Sequence, residues 1–272
     1  MFSAAPSARL TSEQLLRWYV QAGVDETVGE IPVNRYASAQ VAGAAKPRPA
    51  SPQQLATSAT TGSGRQPTIA AEATTSAHLA MECHSLPELR VAMEAYEGCG
   101  LKRTCQRTVF ADGNPAASVM LIGEAPGADE DRLGLPFVGA SGKLLDRMLA
   151  TIGLDRSSAY ITNVVPWRPP GNRKPEPTEV ELCLPFIERH IELVAPAILV
   201  FLGGAPASAL LARQEAISRL RGRWMDYSSS RLPRPVPAMP TYHPAYLLRT
   251  PLHKRDAWRD FLAVRKRLES LR

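Results

Sequence analysis

Apolar positions along this chain follow two rhythms. Four short runs are nearly continuous in apolar residues: Val119–Gly123, Ala159–Val165, Ala197–Leu202 and Ala238–Tyr242. Such runs predict buried strands. Between and around them, apolar residues recur every three or four positions. That spacing predicts helices over Ser141–Ile152, Thr178–Val194 and Pro206–Ala212, with a last one at about 251–271. In the last helix Trp258, Phe261, Leu262, Leu268 and Leu271 are expected to form one apolar stripe. A further helix is expected from Ser85 to about Tyr96. There Ser85-Leu86-Pro87-Glu88 supplies an N-cap, a proline in the first turn and a capping glutamate. Strands alternating with helices imply an α/β fold: a parallel sheet with helices on both faces. Right-handed crossovers then bring the loops after all the strands to one rim.

The N-terminal part reads differently. Residues 11–23, TSEQLLRWYVQAG, predict one short helix within an extension spanning residues 1–36. From Ala37 onward the chain turns to Ala, Ser, Thr, Pro, Gln and Gly, too poor in large apolar groups to offset the entropy of ordering. Residues 37–84 are therefore expected to be a flexible linker, and residues 85–272 the compact domain.

Composition narrows the class. The chain has 272 residues and a net charge of +6. Residues 1–84 hold six Lys/Arg and six Asp/Glu, so the whole excess lies in the folded part, and a basic domain fits a nucleic-acid partner. No apolar run approaches a membrane span and no secretory signal is evident, so a soluble, cytoplasmic protein is expected; a monomer is the default expectation, and no sequence feature sets the oligomeric state. The four cysteines Cys83, Cys99, Cys105 and Cys183 form no C-x-x-C pair and are expected to be reduced thiols.

Four loops gather on the predicted rim: 123–137, 163–173, 203–205 and 241–249. Two familiar sites are excluded there. Gly142-Lys143 lacks the Ser/Thr and the upstream glycine of a phosphate-binding loop, and Gly123 and Gly127 do not make a dinucleotide fingerprint. No His/Cys/carboxylate spacing resembles a zinc site. What remains is a constellation of Glu124, Glu130, Phe137, Asn163 and His243. An Asn at a strand end offers an acceptor and two donors, which match N3–H and O4 of uracil. Phe137 can stack on a base, and His243, held by Pro244, can donate to a developing anion. Leu247, Leu248 and Arg249 can enter a duplex and hold a phosphate. Together these describe a pocket for a base flipped out of DNA.

The runs GEAPGADEDRLGLPFVG (123–139), YITNVVPWRPPGNR (160–173) and HPAYLLR (243–249) carry a resemblance. In these motifs and their order the chain resembles family 4 of the uracil-DNA glycosylase superfamily, over roughly residues 95–265. The resemblance implies a three-layer α/β/α sandwich on a four-stranded parallel sheet. It also implies hydrolysis of the uracil–deoxyribose bond in DNA repair, leaving an abasic site. Gly123, Glu124, Ala125, Pro126 and Gly127 would line uracil and sugar, with Glu130 at the C5 edge. Phe137 would stack, Asn163 would read the base, and His243 would stabilise charge at O2. Ala245, Tyr246, Leu247, Leu248, Arg249 and also Arg168 would meet DNA. Glu124, Glu130, Asn163 and His243 are the expected catalytic set.

Typical members of that family bind a four-iron cluster through four cysteines. Here Cys99 and Cys183 fall at two of those positions, while Lys102 and Trp167 occupy the others. No cofactor is therefore expected, with Trp167 packing where the cluster would lie. A related subgroup traps its substrate through a histidine in the first loop. Residues 127–137 contain none, which favours turnover. In the best-known relatives outside this family an aspartate occupies the position of Ala125. Two other readings stay open: a protein that binds uracil or abasic sites with little turnover, and excision of another damaged base.

Overall fold

The structure is a computed structural model and describes residues 69–271. The helix predicted over 11–23 lies outside the described residues. In chain order the elements are α1 (Ile69–Glu82), α2 (Leu86–Ala95), β1 (Asp112–Gly113), β2 (Val119–Gly123), α3 (Ala128–Leu133), α4 (Ala140–Ala150) and β3 (Tyr160–Asn163). Then come α5 (Pro177–Val194), β4 (Ile198–Leu202), α6 (Gly204–Leu211), α7 (Ile217–Leu220), β5 (Met225–Tyr227), β6 (Val236–Thr241), α8 (Pro244–Arg249) and α9 (Lys254–Glu269).

The sheet order is β1-β3-β2-β4-β6-β5. Its four central strands are the predicted ones, and they pair in parallel. Two antiparallel edge strands, β1 and β5, complete it. Neither is long enough to show a period: β1 is two residues inside a Gly/Asn/Pro turn, and β5 is three. Alternate residues of each central strand enter different cores, as the pleat requires. Met120, Ile122, Tyr160, Leu199 and Phe201 pack with Leu89, Leu182 and Phe186 from α2 and α5. Val119, Leu121, Ile161, Val200 and Leu202 pack with Leu145, Leu149, Phe261 and Val264 from α4 and α9. These are the three layers of a sandwich.

Three expectations are corrected. Helix α1 occupies the end of the stretch read as linker. Its buried positions are the small residues Ser76 and Ala80, backed by Ala73, and the Tyr96 hydroxyl donates to the Glu72 carbonyl at 3.1 Å. Small residues let a helix approach closely, but they look like low-complexity sequence to a composition test. The stripe predicted on α9 is present only in part. Phe261 is buried and Leu268 packs against the same core, but Trp258, Leu262 and Leu271 are exposed, while Ala257, Asp260 and Val264 face inward. Asp260 is held there by Thr241 Oγ1 at 2.7 Å and by Arg221, so a buried carboxylate occupies a place that hydrophobicity would not select. Finally, the first and fourth rim loops are not irregular throughout; each contains a short helix, α3 and α8.

The helix cap predicted before α2 is present: Ser85 Oγ accepts from Glu88 N–H at 3.4 Å, and Glu88 accepts from His84 N–H at 2.7 Å. On α5, His190 lies fully buried, its Nε2 2.7 Å from the Tyr160 hydroxyl and its ring against Phe110. Burial pushes its pKa down from 6.5 to about 3. Below pH 6.5 the unfolded chain therefore takes up a proton that the folded chain refuses, and stability falls as pH falls. For this one group the expected slope is about 1 kcal/mol per pH unit between pH 6 and pH 4. Urea unfolding at stepped pH measures it. In a His190→Gln variant, whose amide keeps a hydrogen-bonding group beside Tyr160, that share of the slope should vanish.

Candidate active site

The carboxyl ends of the parallel strands open into a cleft of about 870 Å³. Its lining includes Glu124, Ala125, Pro126, Gly127, Glu130, Phe137, Asn163 and His243, residues from three separate loops. Ala245, Tyr246 and Arg249 line it from α8.

Strands β2 and β3 end side by side, with Gly123 opposite Asn163 in the parallel register. A Cβ on Gly123 would stand 2.4 Å from Asn163 Oδ1 and 2.6 Å from Phe137 Cζ. The glycine is thus what lets the amide and the ring come together over the strand end. Asn163 is 5% exposed, and its Oδ1 is buried with no hydrogen-bond partner. An unpaired buried acceptor is costly, by about 1–3 kcal/mol, unless a ligand supplies the donor.

Phe137 has φ 55°, the left-handed region that bulky residues avoid. Two features hold it there. Arg156 donates to the carbonyls of Pro136, at 3.1 Å, and of Phe137, while pairing with Asp112 at 2.6 Å and Asp146 at 2.8 Å. Gly142 leaves room, since a Cβ there would lie 1.6 Å from the Phe137 carbonyl oxygen. The Phe137 ring meets the His243 ring at 5.5 Å between centroids. Arg156 is the residue that sequence reading missed. Its long-range partners, not any local pattern, define its role.

His243 caps α8, and its Nδ1 accepts from Ala245 N–H at 3.1 Å. That bond assigns the neutral tautomer with the proton on Nε2. Burial and the Arg249 charge lower its pKa from 6.5 to about 4, against the opposing pull of Glu130. The ring is therefore a neutral donor at neutral pH.

The acids of the first loop divide sharply. Glu130 is buried, and both its carboxylate oxygens accept backbone N–H groups: Gly127 at 3.1 Å, Val138 at 2.9 Å and Gly139 at 3.0 Å. These three bonds staple the loop together. Asp131 accepts from Gln106 N–H at 2.7 Å and Arg107 N–H at 3.2 Å. Glu124 differs. Burial raises its pKa and the Lys174 ammonium opposes the rise, with no backbone amide acting on it.

One expected DNA contact is also corrected. Leu247 is 1% exposed and packs with Tyr242 and Ala257, leaving only Leu248 outward of the pair. Arg168 donates to Asn172 at 2.7 Å and stands 3.9 Å from Asp131, bracing its own loop.

The cysteine positions do not fit an iron–sulfur cluster. Cys99 and Cys183 are buried in the same core cluster. At the other two positions Lys102 is bound to the Glu94 carbonyl and Glu97, each at 2.5 Å, and Trp167 is buried with Nε1 donating to Thr108 at 3.1 Å. Neither can supply a thiolate.

Comparison with known proteins agrees with this geometry. The profile of the uracil DNA glycosylase superfamily matches residues 110–262. The chain belongs to that superfamily. It is 42% identical over 170 residues to the type-4 uracil-DNA glycosylase of Archaeoglobus fulgidus, covering 61% of this chain and 84% of that one. The type-4 enzyme of Saccharolobus solfataricus is 40% identical over 180 residues, covering 63% and 81%. That of Sulfurisphaera tokodaii is 36% identical over 187 residues, covering 67% and 84%. Among the described residues no helix is long and apolar enough to cross a membrane.

The glycine at the strand end gives a direct test. Gly123→Ala should leave the fold intact, with a stability loss of about 1–3 kcal/mol from overpacking. Activity should fall about 100-fold, because the new methyl displaces Asn163 and Phe137, and a 1 Å misplacement is enough for that loss in rate. Chemical denaturation and kcat/KM on a uracil-containing oligonucleotide measure the two effects separately.

Proposed function

We propose that this protein is a monofunctional uracil-DNA glycosylase of DNA repair, hydrolysing the N-glycosidic bond of a uracil flipped out of DNA. Its partners are uracil-containing DNA and the abasic product. The observation that carries the reading is the unpaired Asn163 Oδ1 beside a neutral, Nε2-protonated His243 in one cleft. The three type-4 uracil-DNA glycosylases that share 36–42% identity with the chain support it.

The chemistry follows from the groups present. Asn163 Oδ1 accepts the uracil N3–H and its amide donates to O4. Cytosine presents the opposite pattern at both atoms, so its binding would leave polar groups facing like partners. Phe137 stacks on the base, its ring fixed by the Arg156 clamp. As the C1′–N1 bond breaks, negative charge develops on the base and positive charge on the sugar. His243 Nε2–H donates to O2 of the departing anion. One preorganised donor of this kind lowers the barrier by roughly 3–4 kcal/mol. A neutral ring suits the task, since it donates without first having to acquire a proton. Glu124 is the carboxylate left for the cationic sugar and the attacking water, because Glu130 and Asp131 are engaged with backbone amides. No step requires iron, and this reading assigns the protein no cofactor. Arg249 and the outward Leu248 on α8 hold the strand at the mouth of the cleft.

Incubating uracil-containing oligonucleotides with the protein, then treating with alkali, should give strand breaks at uracil. Failure on both single- and double-stranded substrate would sink the reading, and tight product binding without turnover would replace it with a binding role. His243→Ala should lower kcat about 100- to 1,000-fold, while Asn163→Ala should lower kcat/KM at least tenfold.

The pH profile supplies a second check. With His243 near 4, activity should show no loss on titration of an imidazole between pH 8 and pH 6. A histidine titration midpoint for His243 near 6.5 by NMR would contradict the assigned tautomer and its role.

A further inference from the structure

One wall of the cleft is the segment after β3, which contributes Pro169, Asn172, Arg173, Lys174 and Pro175. It has no regular strand or long helix to hold it. Its root is tied by Val164 N–H to the Gly123 carbonyl at 2.9 Å and Val165 N–H to the Glu124 carbonyl at 3.0 Å. Beyond those bonds the deepest anchor is Trp167, fully buried in the largest core cluster. Its ring lies 6.2 Å from Tyr96, which meets Phe186 edge-on at 5.2 Å. The indole N–H is satisfied by Thr108, and the adjacent Pro166 carbonyl accepts from Val109 at 2.8 Å. Cys99 and Cys183 are buried in the same cluster. The two residues that break the four-cysteine set are thus both satisfied in other ways, Trp167 by apolar packing and Lys102 by its partners Glu94 and Glu97.

We propose that Trp167 is a positioning residue that fills the seat of an iron–sulfur cluster and does its structural work, pinning the 164–175 wall of the cleft to the Tyr96–Phe186 core. The inference rests on the cluster-free reading above and adds what replaces the cluster. A cluster ties distant segments through metal–thiolate bonds. Here the segments around residues 99, 167 and 183 are joined by the buried Trp167–Tyr96–Phe186 contacts, while Lys102 is tied within its own stretch to Glu94 and Glu97. Aromatic pairs of this kind hold their geometry by shape and quadrupole as well as by burial. The joint consequently needs no iron supply and contains no metal to lose.

The experiments separate the two layers of the claim. Purified wild-type protein from iron-rich culture should carry no stoichiometric iron or labile sulfide; a coloured, iron-loaded protein would overturn the cluster-free reading and the inference with it. Trp167→Ala should raise KM for a uracil-containing oligonucleotide about tenfold while kcat changes less than about threefold, since Asn163 and His243 are untouched. Trp167→Phe should recover most of that loss. An alanine variant with the wild-type KM would overturn the inference while leaving the cluster-free reading intact. Lys102→Cys combined with Trp167→Cys restores four thiols around the seat. Anaerobic addition of iron and sulfide should then give the visible absorption of a bound cluster and about four irons per chain. If that double variant is folded by circular dichroism yet takes up no iron, Trp167 does not stand in a cluster seat. Should Trp167→Ala fail to fold, the double-cysteine result decides.

Discussion

The cleft depends on an absence of atoms at Gly123. Two parallel strands end in register there, and only a residue without a Cβ allows Asn163 and Phe137 to close over the strand end together. The consequences run outward. Phe137 stands beside Asn163 in a left-handed backbone conformation, which the Arg156 clamp and the bare Gly142 sustain. The Phe137 ring in turn packs against His243, whose orientation is set by its cap on α8. A strained residue of this type persists only where its surroundings over-determine it, and such positions gather at functional sites.

Charge in the cleft is ordered by hydrogen bonding more than by count. The first loop carries Glu124, Asp129, Glu130 and Asp131 within eight residues. Had all been exposed to the ligand, the site would repel both a phosphate backbone and a uracil anion. Instead Glu130 and Asp131 are spent on five backbone N–H groups, which fix the loop and its two flanking segments. Asp129 faces outward beside Arg132. Glu124 lines the cleft without a backbone amide on its carboxylate, and burial and Lys174 act on it in opposite directions. The same logic keeps His243 neutral: desolvation and a nearby arginine disfavour its charged form.

Trp167 and α1 illustrate a second theme, the use of close packing where stronger chemistry is absent. A buried aromatic stack joins segments far apart in sequence. Helix α1 closes the edge of that core with alanine and serine, whose small size lets it lie against α5. Both joints are sensitive to volume, because interiors are packed as densely as molecular crystals and relax little around a void.

Much of this was legible without coordinates. The four central strands, the helices between them and the rim were readable from short apolar runs and the 3.6-residue period, because burial on two faces writes itself into consecutive positions. Gly123, Asn163 and His243 stood out through local motif and strand-end placement. Strands β1 and β5 left no such trace; they are too short to repeat a period. The linker boundary failed because α1 buries small residues, and the α9 stripe held only at Phe261 and Leu268, its inward face also carrying Asp260, which is buried by partners distant in sequence. The division of the acids was equally hidden. Glu124 and Glu130 are the same chemical group six residues apart, and what separates them is which one backbone amides can reach. Sequence alone determined the fold class, the family resemblance and the residues that gather at the cleft, since those follow from local pattern. Tertiary structure decided which of them are free to act, because hydrogen-bond partners and buried neighbours come from elements that meet only when the chain is folded.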